Sequence, residues 1–179
     1  KLKAHPSGID FGPLKPSCPE RLQTHDKRIP LAIPEVLADI ERLQSDMNEH
    51  VAGYRLIGRR NVRDNNSWMH NHRRLVKGKD RCQLLMHPDD VAKEGWNEGM
   101  QVTITSRVGS ISAELMPSTE VMPGVISLPH GYGHGLEGTR SKVANSHAGV
   151  SCNDVTDEQF LDQLSGNAAV NGVPVHLSA

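Results

Sequence analysis

His130-Gly131-Tyr132-Gly133-His134 sets two imidazoles four residues apart, and His70 and His72 add two more. On a helix, two histidines at that spacing face the same way and can hold zinc. Pro129, Gly131, Gly133 and Gly135 rule out a helix here, and no carboxylate stands beside the pair as the usual motif requires. Three readings stay open for these rings: a zinc centre, loop histidines making ordinary hydrogen bonds, and contacts to an organic cofactor. A second feature is the basic stretch of Arg55, Arg59, Arg60, Arg63, Arg73, Arg74, Lys77, Lys79 and Arg81. Guanidinium forks and ammonium groups at this density suit a small anionic ligand such as a phosphate, or else form a solvated loop. Ser151-Cys152 lacks the surroundings of a nucleophile, so Cys152 reads as a small buried hydrophobe. No P-loop occurs, and the series Gly131, Gly133, Gly135 and Gly138 opens no helix.

These residues need a scaffold, and composition narrows it. The chain has 179 residues, enough for one core without staples, plus an arm. Aromatic residues are 3%, against 16 glycines and 11 prolines, which favours short elements joined by turns. A net charge of -1 argues against a nucleic-acid partner. Cys18, Cys82 and Cys152 are odd in number and form no CxxC pair, so neither a disulfide framework nor a thiolate metal site is expected. A reducing, cytoplasmic setting fits them. No apolar run is long enough to span a membrane and no signal peptide is visible, so no membrane association is expected. The start at Lys1 fits a fragment of a longer protein.

Residues 1–50 divide into a proline-broken extended arm and one helix. Pro34 suits a first helical turn, and Val36, Leu37, Ile40, Leu43 and Met47 recur at helical spacing, predicting a core-facing helix. Residues 51–179 read as a domain of short strands. Tyr54 to Ile57, Cys82 to Met86, Met100 to Thr105, Ile111 to Leu115, Val125 to Leu128 and Val173 to Leu177 carry strand patterns. Gly109 turns the third strand into the fourth as a hairpin. Pro88-Asp89-Asp90 opens a short helix that Gly95 closes. Thr156 to Gln159 has the form of a capping box, so Phe160, Leu161 and Leu164 are expected on a helix ended by Gly166. Many short strands with few short helices indicate a mainly β fold with a barrel-like core. Two long loops, about 58–79 and 129–153, are rich in Gly, Asn, His, Ser and Arg, as binding loops often are.

The order Leu56-Ile57-Gly58-Arg59-Arg60, Asn66-Ser67-Trp68-Met69-His70-Asn71, Leu85-Met86-His87-Pro88-Asp89-Asp90 and Pro123 to His134 resembles the molybdopterin dinucleotide-binding domain. That domain closes the chain of enzymes in the dimethyl sulfoxide reductase family, which includes formate dehydrogenases and nitrate reductases. The resemblance covers about 54–178, and Gly12-Pro13-Leu14 to Ile40 resembles the segment leading into the domain. It implies a double-psi β-barrel of about six strands. It also implies the bis-molybdopterin guanine dinucleotide cofactor, with Mo or W. The cofactor positions carry over to Gly58, Arg59 and Arg60, then Ser67, His70 and Asn71, in the first loop. In the second loop they carry over to His130, Gly131, Tyr132, Gly133, His134 and Asn145, with Asn153 and Asp154 near the end. Physically, a pyrophosphate needs Arg forks and exposed N–H groups, a pterin edge needs amides and carbonyls, and glycine admits close approach.

Neither the metal-holding side chain nor the Cys-rich iron–sulfur site of family enzymes is visible in this sequence. The chain is therefore expected to be inactive alone and to bind the cofactor jointly with upstream domains of the same enzyme. An electron-transfer subunit is a further expected partner. The rival readings are a stand-alone barrel binding module, a barrel that has lost the cofactor and serves without catalysis, and a small zinc hydrolase using His70, His72, His130 or His134.

Overall fold

A computed structural model describes residues 2–48 and 52–179 of the chain. Chain contacts divide it into two units, Lys1–Met47 and Asn48–Ala179. The expected boundary at 50/51 lies outside the described residues. In the first unit, a 3₁₀ turn at Leu2–Ala4 and a run of turns precede helix α1, Pro34–Asn48. Pro34 starts the helix with its φ already helical, and the Ile33 carbonyl accepts the first bond from the Leu37 amide. Arg42 ties Asp39 and Asp46 along one side at 2.7 and 2.9 Å. The expectation of a core-facing helix is corrected here. No residue of α1 is buried, and Val36, Leu37, Ile40, Leu43 and Met47 are all exposed. Helical spacing marks an apolar stripe, but it does not supply the surface that covers it.

The second unit is a closed six-stranded barrel. Its strands are β1 (Tyr54–Arg59), β2 (Gln83–Met86), β3 (Gln101–Thr105), β4 (Ser110–Pro117), β5 (Val125–Pro129) and β6 (Val173–Ser178). They close in the order β1-β5-β2-β4-β3-β6. β1 runs parallel to β5 and β2 parallel to β4, while the remaining neighbours are antiparallel. The two parallel pairs distinguish this barrel from an up-and-down one, and each needs a long crossover. These crossovers are where the long loops arise.

The alternation read from sequence puts Val102 and Ile104 of β3 and Ile111, Ala113 and Leu115 of β4 inside. Leu84, Met86, Ile126, Leu128, Val173 and Val175 complete the core. The hairpin around Gly109 forms as expected, with Thr105 opposite Ser110. Helix α2, Pro88–Glu94, is capped by the His87 ring, which accepts from the Asp89 amide, and ends at left-handed Gly95.

The helix expected around Phe160 to Leu164 does not form. Thr156 is turned back, its hydroxyl donating to the Asn153 carbonyl, so it cannot cap a helix. The Asp162 carboxylate accepts from both the amide and the hydroxyl of Ser165, closing a side-chain turn instead. A single bridge then pairs Leu161 with Ala168. Local side-chain bonds of this kind compete directly with helix formation.

Candidate functional site

Two clusters gather the residues singled out from the sequence. The first is a cleft of about 90 Å³ lined by Gly58, Arg60, His130, Cys152, Asn153, Thr156, Val170 and Asn171. β1 and β5 lie parallel and in register, with Gly58 beside Leu128 and Arg59 beside Pro129, so their carboxyl ends deliver Arg60 and His130 side by side. The His130 amide donates to the Arg59 carbonyl at 3.0 Å and continues the ladder one step. Burial lowers the His130 pKa and the Arg60 guanidinium lowers it further, so the ring is neutral near pH 7 and can accept as well as donate. Arg60 hydrogen-bonds the Asn66 side chain and remains exposed. Asn153 enters from a 3₁₀ turn, Cys152–Val155, whose Cys152 and Val155 side chains anchor it in the core.

Arg59 has a different fate from its neighbour. Its guanidinium donates to the carbonyls of Ser127 at 2.6 Å, Gln83 at 2.7 Å and Arg81 at 3.1 Å. It does not line the cleft. It pins the end of β1 to β5 and β2, and burial lowers its pKa. Alternation along a strand sends adjacent side chains to opposite faces, which separates the roles of an Arg-Arg pair.

The second cluster is a buried polar network between the two long loops. Asp64 and His70 are 1% and 2% exposed. Arg81 donates to one Asp64 oxygen from Nε at 3.0 Å and Nη2 at 2.6 Å, and the Tyr132 hydroxyl reaches the other at 3.4 Å. His70 Nε2 faces Asp64 Oδ1 at 3.5 Å, and His70 Nδ1 meets His134 Nε2 at 2.8 Å. Tyr132 and His134 enclose the His70 ring, with centroids 4.4 and 5.1 Å away. The hydrogen bond to Asp64 raises the Arg81 pKa. Burial, with Asp64 nearby, pushes Tyr132 up to about 12, and burial followed by His70 lowers His134. His70 Nε2 makes no hydrogen bond within this network, and His70 lines a cavity of about 30 Å³ together with Lys79, Arg81, Tyr132 and His147.

Two glycines permit close approaches, Gly131 between the two loops and Gly133 within the second. A Cβ on Gly131 (φ 95°) would overlap the Asn66 carbonyl and crowd the Ser67 amide. A Cβ on Gly133 (φ 102°) would strike the Ser151 side chain. Asn71 and Asn145 hold the loops from outside. Asn71 Oδ1 accepts from the Val143 and Ala144 amides at the start of α3, Lys142–Asn145, and Asn145 Nδ2 donates to the His134 carbonyl. Asp154 is exposed and does not line the cleft, and its carbonyl lies against Gly109.

Gly58, Arg60, His130 and Asn153 therefore share one cleft, while His70, Tyr132 and His134 share the network. Sequence reasoning missed Asp64 and Asn171 as site residues, and it placed Arg81 in an anion-binding stretch where the structure pairs it with Asp64. Asp64 carried a signal, being with Asp80 one of two acids in the basic stretch. Asn171 carried none. Its Oδ1 accepts from the Gly58 amide at 2.7 Å across 113 positions of chain. A zinc site finds no support in this geometry. Among the described residues, no three His, Cys, Asp or Glu side chains converge to hold a metal ion, and His70 and His134 bond each other.

The donor set fits part of a pterin dinucleotide. A guanidinium, an asparagine and a neutral imidazole line a cleft with open backbone at Gly58, where an added Cβ would meet only Asn171 at 3.5 Å. The cleft is smaller than such a ligand, so other surfaces must share it.

Comparison with known proteins gives the family and the fold. Over 121 residues the chain is 28% identical to a tetrathionate reductase subunit from Salmonella typhimurium, covering 58% of this chain and 12% of that protein. Over 113 residues it is 30% identical to the arsenate respiratory reductase molybdopterin-containing subunit of Chrysiogenes arsenatis, covering 60% of this chain and 13% of that one. The chain thus spans about an eighth of these relatives. Acetylene hydratase from Pelobacter acetylenicus shares the fold, with a TM-score of 0.60 at 18% identity over 79% of this chain and 19% of that one. The family model of the Molydopterin dinucleotide binding domain matches residues 54–174, which is the whole barrel up to the start of β6, and the chain belongs to that family.

Proposed function

We propose that this chain is the cofactor-binding domain of a molybdopterin-dependent reductase and holds part of a bis-molybdopterin guanine dinucleotide. The observation that carries this reading is the convergence of Gly58, Arg60, His130 and Asn153 on one cleft at the ends of two parallel strands. Arg60 supplies a fork for phosphate oxygens, and His130 and Asn153 supply donors and acceptors for a heterocycle edge. Gly131 lets the second loop pack directly against Asn66 and Ser67 of the first. When bound, the molybdenum or tungsten centre supplies the electron-transfer and oxygen-atom chemistry. The residues of this domain bind and orient, so the domain alone is inactive, and upstream domains of the same enzyme complete the site.

The names of the two reductase relatives support an inorganic oxyanion as the class of substrate for the whole enzyme. The test is metal and pterin content of the enzyme that carries this domain, with Arg60→Gln alongside. Near-stoichiometric Mo or W with released guanine nucleotide is expected, reduced in the variant. Absence of both metal and pterin from the unaltered enzyme would overturn the reading.

A further inference from the structure

Asn171 stands on one wall of the cleft, just before β6 begins. β6 pairs with β1 from Tyr54↔Val175 to Leu56↔Val173, and that antiparallel register, carried two residues further, sets Asn171 opposite Gly58. The adjoining backbone is fixed at Gly172. Its amide donates to the Leu56 carbonyl at 2.9 Å, and its carbonyl accepts from Arg55 Nη1 at 3.1 Å. At the Gly58 step a side chain replaces the strand, and the Gly58 amide donates to Asn171 Oδ1 at 2.7 Å. A backbone N–H can only donate, so this bond decides which end of the carboxamide is the oxygen. Nδ2 is thereby the other end, and its two N–H donors find no acceptor among the described residues. Asn171 is exposed and lines the cleft with Gly58, Arg60, His130 and Asn153. The tie to Gly58 asks only for an acceptor, which a carboxylate would supply at least as well. What the carboxamide adds is the donor.

We propose that Asn171 is a ligand-binding residue of the cleft: Nδ2 donates to an acceptor atom of the bound group, and the Gly58 amide fixes that donor by holding Oδ1. This assignment rests on the cofactor reading given under Proposed function. With the Arg60 guanidinium, Asn171 makes this part of the cleft a donor surface, suited to the phosphate or carbonyl oxygens of the ligand.

Three variants separate the donor from the tie: Asn171→Asp, Asn171→Ala and Val170→Asp. Hydrogen exchange of the Gly58 amide in the 179-residue chain reports the tie. It should stay slow in Asn171→Asp, which keeps an acceptor, and quicken by about tenfold or more in Asn171→Ala. The Leu115 amide in the barrel, bonded to the Met100 carbonyl at 2.8 Å, should keep its rate in both and so reports that each variant is folded. Metal and pterin content of the enzyme carrying each change reports the donor. Content should fall by about fivefold or more in Asn171→Asp although the tie is intact, and also in Asn171→Ala. Val170→Asp places the same charge on the neighbouring cleft residue and should give a smaller loss. Full content in Asn171→Asp with slow Gly58 exchange would reduce Asn171 to a strand tie and overturn the inference. An equal loss from Val170→Asp would overturn it as well, because charge alone would then explain the effect. So would quickened Gly58 exchange in Asn171→Asp, since the bond that orients Nδ2 would not be the one described. An unaltered enzyme lacking both metal and pterin overturns the cofactor reading and this assignment with it, whereas a loaded enzyme indifferent to Asn171→Asp overturns this assignment alone.

Discussion

Arg59 and Arg60 are adjacent, identical in type and opposite in expected effect. Replacing Arg59 with Met removes three charge-assisted hydrogen bonds, to the carbonyls of Ser127, Gln83 and Arg81. At about 1.5 kcal/mol net for each bond, the low end for a charged donor, the three sum to about 4–5 kcal/mol. Part is returned because the guanidinium no longer has to be desolvated, the effect that lowers its pKa. A net loss of about 3 kcal/mol follows, which for a chain of this size lowers Tm by about 6–12 °C. Arg60→Gln removes only an exposed contact to Asn66 and should stay within about 0.5 kcal/mol of wild type. Urea denaturation of the chain, followed by far-ultraviolet circular dichroism, measures both variants on one scale. Under the cofactor reading the order reverses for ligand retention, where Arg60→Gln is the damaging change. Equal destabilisation by the two substitutions, or a larger loss from Arg60→Gln, would refute the assignment of Arg59 to the barrel.

Gly131→Ala should separate the loops without unfolding the barrel, because the added Cβ overlaps the Asn66 carbonyl at φ 95°. The expected result is about 2 kcal/mol or more of lost stability, with strand dichroism retained and cofactor content lost. Native thiol titration should label Cys18 rapidly and leave Cys82 and Cys152 slow, since Cys18 is exposed and the other two are buried with raised pKa values. Rapid labelling of all three would contradict the packing of the turn at Cys152. Alkaline stability should fall with the same group. Burial pushes Cys82 up from 9.0 to about 11, so the folded state binds its proton more tightly than the unfolded state does. That stabilisation is complete below about pH 9 and is lost as pH rises through about 11, by on the order of 2 kcal/mol. A Cys82→Ala chain should show a flatter profile between those limits.

The patterns that depend on near neighbours were legible in the sequence. Alternation in Met100–Thr105 and Ile111–Leu115 fixed which face of each strand is buried, and Gly109 fixed the hairpin, because side-chain direction has period two on any strand. The ordered motifs carried the family resemblance, and with it the cleft residues Gly58, Arg60, His130 and Asn153. What depends on distant neighbours was not legible. The stripe on α1 has the right period, yet none of its residues is buried, and Phe160 to Leu164 follows a capping-box pattern without forming a helix, because side-chain turns at Thr156 and Asp162 compete with it.

The tertiary structure alone decided the closure of β1 beside β5 and the division of labour between Arg59 and Arg60. It also decided the reach of Asn171 to Gly58 and the burial of Asp64 as the counter-charge to Arg81. The physical reason is common to all of them. A guanidinium, an amide or a carboxylate has no fixed role until the fold sets how much water it loses and which partner replaces that water.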